Sequence, residues 1–161
     1  MEAKLVAILT KQVAKELTNE AAYKALAVWA DVEQYRGARH WFKKSALEER
    51  GHAQRITDFL VGYGRERLGV PAVDASMAEH ATLADAMRSV LKVEEANTED
   101  LNACYSEAED GGAFEVCAWL QPMLADQVTS VSFAADVVAR LERADDNMAD
   151  VSLVDKWLKD Q

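Results

Sequence analysis

From about Glu2 to Glu33, apolar residues recur at intervals of three and four: Leu5, Ile8, Leu9, Val13, Leu17, Ala21, Leu26, Ala27 and Trp29. That period marks one face of an amphipathic helix and predicts a first helix over about 2–33. Gly37 interrupts the pattern after a gap short enough for an antiparallel hairpin. A second helix follows over about 38–63, with Phe42, Ala46, Glu49, His52, Ala53, Ile56, Phe59 and Leu60 facing inward and Gly62 and Gly64 at its end. Residues 65–81 carry Gly69, Pro71 and no sustained period. A helix of the second one's length spans about 39 Å, which an extended segment of that size can cover. The segment therefore reads as a crossover to the opposite end of a bundle. Thr82 is placed to cap a third helix over about 82–109, closed by Asp110-Gly111-Gly112. A fourth runs over about 113–143, with Pro122 expected to bend it or loosen a turn. Asp145-Asp146-Asn147 breaks the pattern before a short fifth helix over about 151–159. The expected fold is all-α: one domain, a four-helix bundle with a long crossover between its second and third helices and a short fifth helix.

Composition supports helix over sheet, since the chain has 161 residues with only 7 Gly and 2 Pro. The length suffices for a hydrophobic core without disulfides or a structural zinc. A formal net charge of −10 argues against binding a nucleic-acid backbone and suits attraction of cations. Cys104 and Cys117 form no CxxC pair and read as reduced, small apolar residues. The first residues enter the amphipathic pattern directly, without a basic start and apolar leader, and no apolar run is long enough to span a membrane. A cytoplasmic protein is expected.

Candidate chemistry centres on Glu48-Glu49-Arg50-Gly51-His52. Glu49 and His52 lie about 60° apart around a helix and so share a face. A Glu-x-x-His pair aimed into a four-helix bundle is the ligand pattern of a carboxylate-rich diiron site. Alone the pattern says little, because Glu and His are common on surfaces; its weight comes from partners on the other helices. The first helix offers Glu16, with Tyr23 about 20° out of register two turns away. In the third helix the apolar neighbours Val90, Leu91 and Leu101 select Glu94 over Glu95 as the inward residue, and the fourth offers Gln127, one turn beyond Met123. Singly, Glu16 and Glu94 read as solvated helix residues, Tyr23 as a core aromatic, and Gln127 as nothing in particular. His40 and His80 lack partners at helical spacing and read as surface residues, while Trp29, Trp41 and Trp119 read as core or interface aromatics.

Taken together, Glu16 with Tyr23, Trp29, Glu49-x-x-His52, Glu94 and Gln127 resemble, in order and nearly in spacing, the ferroxidase pattern of ferritins. Val154-Asp155-Lys156-Trp157-Leu158 is similar to the start of the fifth helix of bacterial ferritins. The resemblance covers practically the whole chain, and implies an enzyme that oxidises Fe(II) with O2 or H2O2 at a site for two irons per subunit. It also implies storage of ferric mineral in a hollow homo-oligomer of 24 subunits. Glu16, Glu49 and His52 would hold the first iron, with Glu49 bridging; Glu94 would hold the second, with Gln127 beside it and Tyr23 as hydrogen-bonding phenol and electron donor. Oxygen-rich ligation suits hard ferric iron.

The chain also departs from that pattern. Bacterial ferritins often have a third iron site; here Glu48 and Asp126 could form a remnant of it, with Thr129 and Ser130 where acids would stand. The second iron would therefore be the more labile. The fourth helix has no second Glu-x-x-His, and Arg50 stands where bacterioferritins supply a methionine to haem, so no haem is expected. Cys117 and Leu120 replace the acids that line threefold channels in animal ferritins, and Gly51 and Gln54 replace acids proposed for mineral nucleation. Two alternatives stay open: a diiron oxidase or peroxidase of similar fold without a storage role, and a cage subunit with a weak centre.

Overall fold

The computed structural model describes residues 1–69, 71–73 and 76–161. Its helices are α1 (Ala3–Val32), α2 (Arg36–Gly62), α3 (Leu83–Asp110), α4 (Phe114–Ala144) and α5 (Met148–Leu158). The chain pairs α1 with α2 and α3 with α4, sets α1 against α3, and lays α5 across α2 and α4. This is a ferritin-like four-helix bundle with a short fifth helix. The crossover includes Val70, Asp74 and Ala75, which lie outside the described residues; its described part carries neither helix nor strand. Its far end is fixed where the indole N–H of Trp29 donates to the His80 carbonyl at 3.2 Å. Among the described residues, no helix is long and apolar enough to cross a membrane.

The helix boundaries show three local devices. Gly37 is not a loop residue but lies in the first turn of α2, where a Cβ would fall 1.6 Å from the Asp155 carbonyl oxygen. The Asp155 carboxylate accepts from the backbone N–H of Gly37 at 3.2 Å and of Ala38 at 2.8 Å. It thereby caps α2 from α5, where Tyr35 makes no side-chain cap. Asn147, expected as a breaker, is instead the N-cap of α5, accepting from Ala149 N–H at 3.0 Å, so that helix begins at Met148 rather than 151. Thr82 caps α3 by accepting from Asp85 N–H at 3.1 Å. Helix α4 runs unbroken through Pro122, which lies on the exposed side, as does Ala118, so the carbonyl freed by the missing donor can meet water.

The core is split. One apolar cluster gathers Tyr23, Leu26, Phe42, Met87, Val90, Val137, Leu141 and Leu158 at the end where α5 docks. The other gathers Leu9, Val13, Ile56, Leu60, Leu101, Val116, Leu120 and Met123 at the opposite end. Between them in the chain pattern stand buried Gln12, Glu16, Glu49, Glu94, Asn97 and Gln127. Burying so many polar groups is costly unless each is paired or occupied.

Candidate metal centre

All four long helices contribute to this polar layer. Along α1, Gln12, Glu16 and Tyr23 follow one another at helical spacing and are all buried; along α3, Glu94 and Asn97 do the same while Glu95 is exposed. Glu49 is buried on α2, with His52 three residues on and its side chain 25% exposed. Gln127 is buried on α4.

Glu16, Glu49 and His52 converge, each offering a ligand atom within 4.8 Å of the others. His52 Nδ1 lies 3.8 Å from Glu16 Oε2 and 3.8 Å from Glu49 Oε2, too long for hydrogen bonds. Glu49 Oε2 is buried and has no hydrogen-bond partner. A buried carboxylate oxygen left unpaired calls for an explanation, and a cation between the three groups supplies one. Two carboxylates and an imidazole suit a divalent first-row transition metal.

Glu94 faces the same cavity but stands outside that trio. It accepts from the Tyr23 hydroxyl, and from Gln127 Nε2 at 2.5 Å. The Gln127 amide also donates to the Glu94 carbonyl at 3.0 Å. Two residues missed in the sequence complete the layer. Gln12 Nε2 donates to Glu16 at 2.7 Å and to Asn97 Oδ1 at 2.7 Å, and Asn97 Nδ2 donates to Gln127 Oε1 at 3.2 Å. Their signal was positional: Gln12 stands one turn before Glu16, and Asn97 one turn after Glu94.

Burial dominates the electrostatics. It pushes Glu16 up to about 8, helped by the neighbouring Glu49 carboxylate, and pushes Glu49 up to about 7. Glu94 is also raised by burial, against the bonds from Tyr23 and Gln127, and burial lifts Tyr23 well above the ordinary phenol range. Without a cation, burial thus favours the protonated forms of Glu16 and Glu49. A bound cation would favour the opposite, since metal ligation requires the deprotonated form.

A cavity of about 460 Å³ opens on the α2–α4 side, lined by Tyr23, Trp41, Glu49, His52 and Glu94 within and by Glu48 and Asp126 nearer the solvent. Glu48 and Asp126 are exposed, and Lys44 Nζ approaches Glu48 at 3.9 Å. Neither acid belongs to a group of three or more potential metal ligands among the described residues. His40 is exposed, but His80 departs from the expected surface position: it is half-buried, its ring edge-on to Trp29 with centroids 5.5 Å apart.

Comparison with known proteins agrees with this fold. Residues 6–144 match the family model for the ferritin-like domain. The chain is 30% identical over 151 residues to ferritin BfrB of Mycolicibacterium smegmatis, covering 92% of this chain and 81% of that one. It is 22% identical to the bacterial non-heme ferritin of Escherichia coli, over 98% and 95% of the two chains. An engineered closed form of the Archaeoglobus fulgidus ferritin superposes with a TM-score of 0.94 at 25% identity, covering 99% of this chain and 96% of that one. With a family match across most of its length, the same bundle, and a Glu-Glu-His cluster buried between its helices, this chain belongs to the ferritin family.

Proposed function

We propose that the chain is a ferroxidase subunit, one ferritin-like unit from end to end, with Fe(II) as its substrate. Glu16, Glu49 and His52 hold the first iron, and Glu49 bridges to a second held by Glu94 beside Gln127. Each Fe(II) gives one electron; O2 takes up two electrons and two protons and leaves as H2O2, which can itself serve as an oxidant. Asn97 and Gln12 hold the Glu16 carboxylate, while Tyr23 and Gln127 hold that of Glu94, so the ligands are oriented before iron arrives. The subunits assemble into a hollow shell of 24, in which ferric product is stored as mineral.

The observation that carries this reading is the convergence of Glu16, Glu49 and His52 around an unpaired, buried carboxylate oxygen. Because Glu94 is already engaged by Tyr23 and Gln127, the second iron is the weaker. The test is anaerobic Fe(II) titration followed by mixing with O2 in a stopped-flow instrument, with the mass measured by size exclusion. The expected result is rapid oxidation that saturates near two irons per subunit in a very large assembly. Rapid oxidation in a small oligomer would instead indicate a diiron oxidase without storage, and slow, non-saturating oxidation a cage subunit with a weak centre.

A further inference from the structure

An aromatic column leads out of the iron cavity. Trp41 lines the cavity beside Glu49, His52 and Glu94. Its ring stacks on Phe133 of α4, with centroids 5.2 Å apart and planes 28° apart. Phe133 stacks in turn on Trp157 of α5, with centroids 5.6 Å apart and planes 22° apart. Tyr23 meets Trp41 edge-on at 5.9 Å. Both tryptophans are half-buried, so one end of the column touches the cavity and the other reaches α5.

Resting on the ferroxidase reading, we infer that Trp41, Phe133 and Trp157 form a one-electron relay that supplies the cavity with an electron from Fe(II) outside it. Indole is among the most easily oxidised side chains. The phenyl ring of Phe133 is too hard to oxidise to hold a hole, but it fills the gap between two indoles and shortens each tunnelling step. The need for such a relay follows from the ligand geometry. Among the described residues only Glu16, Glu49 and His52 converge as a trio, and Glu94 is engaged by Tyr23 and Gln127, so at low iron the first position fills before the second.

A single Fe(II) can give H2O2 only one electron, whereas cleaving its O–O bond to two hydroxides takes two. Trp41 gives the other: one Fe(II), one H2O2 and one indole yield one Fe(III), two hydroxide ions and one indole radical cation. The hole passes through Phe133 to Trp157, which releases its N–H proton to water and regains one when a second Fe(II) at the surface reduces it. In sum, two Fe(II) and one H2O2 become two Fe(III) and two hydroxides, with no hydroxyl radical set free. The Arg140 guanidinium lies 4.3 Å from the Trp157 ring centroid and by itself would oppose a positive hole; its ion pair with Asp136 at 2.7 Å offsets that charge.

The experiment loads the full chain anaerobically with one Fe(II) per subunit, mixes it with H2O2, and freeze-quenches it for electron paramagnetic resonance, with a spin trap for hydroxyl radical in parallel. Ring-deuterated tryptophan identifies the radical without any substitution. The wild type should give a tryptophanyl radical that disappears on adding more Fe(II), with little trapped hydroxyl radical. Trp157→Phe should leave the radical on Trp41, insensitive to added Fe(II); Trp41→Phe should lose the tryptophanyl signal and raise the hydroxyl adduct. Absence of a tryptophanyl radical in wild type that still oxidises two irons rapidly with O2 would overturn the relay and leave the ferroxidase reading standing. A Trp157→Phe radical that decays with Fe(II) as in wild type would also overturn it. No rapid oxidation with either oxidant would overturn both.

Discussion

The two walls of the candidate iron site are built on opposite principles. On the α1–α3 side, Gln12 and Asn97 are buried and bonded to each other, to Glu16 and to Gln127, an amide network that leaves the carboxylates little freedom. On the α2–α4 side, a cavity reaches outward past Glu48, Asp126 and Lys44, which are exposed and sparsely paired. On the proposed ferroxidase reading, the closed wall would hold the ligands in place and the open wall would admit Fe(II). Buried hydrogen bonds are strong and costly to break, whereas exposed charges are screened and replaceable. Substitutions on the two walls should therefore differ in kind.

The largest effect belongs to the residue between the walls. Glu49→Ala removes a member of the trio and the proposed bridge, and should slow rapid Fe(II) oxidation by at least about 100-fold, the upper end of what losing an outer ligand support costs. Stopped-flow absorbance reads the rate, and circular dichroism checks that the helices survive. On the closed wall, Asn97→Ala leaves Gln12, Gln127 and Glu16 short of partners. It should weaken binding of the first iron by about 10–100-fold and cost about 1–3 kcal/mol of stability, read by anaerobic titration and urea denaturation.

The same wall shapes the pH dependence of the metal-free protein. Folding raises Glu16 from 4.5 to about 8 and Glu49 from 4.5 to about 7, so the folded state binds more protons than the unfolded state across that interval. The stability these groups contribute is fully present below about pH 4.5 and lost as pH rises through 7 to 8. Urea midpoints measured without metal should fall over this range, and Fe(II) under anaerobic conditions should restore them most at the alkaline end. The smallest effect belongs to the open wall: Glu48→Gln combined with Asp126→Asn should leave the fast phase near wild type and mainly slow later iron uptake. A loss as large as that of Glu49→Ala would erase the contrast between the walls.

How far the sequence discloses this arrangement depends on how local the cause is. Apolar spacing predicts the helices, whereas Glu16, Glu49 and Glu94 stand out only jointly, as acids at matching depth on three helices beside His52; singly each is an ordinary helix residue. Gln12 and Asn97 do not stand out, since an uncharged amide is ordinary on any helix until its partners are known, and those partners lie 85 positions apart in the chain. Gly37 reads as a turn because its real constraint, the Asp155 carbonyl pressed against its Cα, comes from α5. His80 reads as exposed because its contact with Trp29 depends on how the crossover returns. Asn147 marks a helix boundary in the sequence but reads equally as a break or a start, a choice its bond to Ala149 decides.

The most direct test is a crystal structure of the protein soaked anaerobically with Fe(II), with anomalous scattering recorded at the iron edge. A strong peak is expected among Glu16, Glu49 and His52 and a weaker one between Glu49 and Glu94. Iron found only at Glu48 and Asp126, with the Glu16, Glu49 and His52 trio empty, would contradict a ferroxidase centre at that trio.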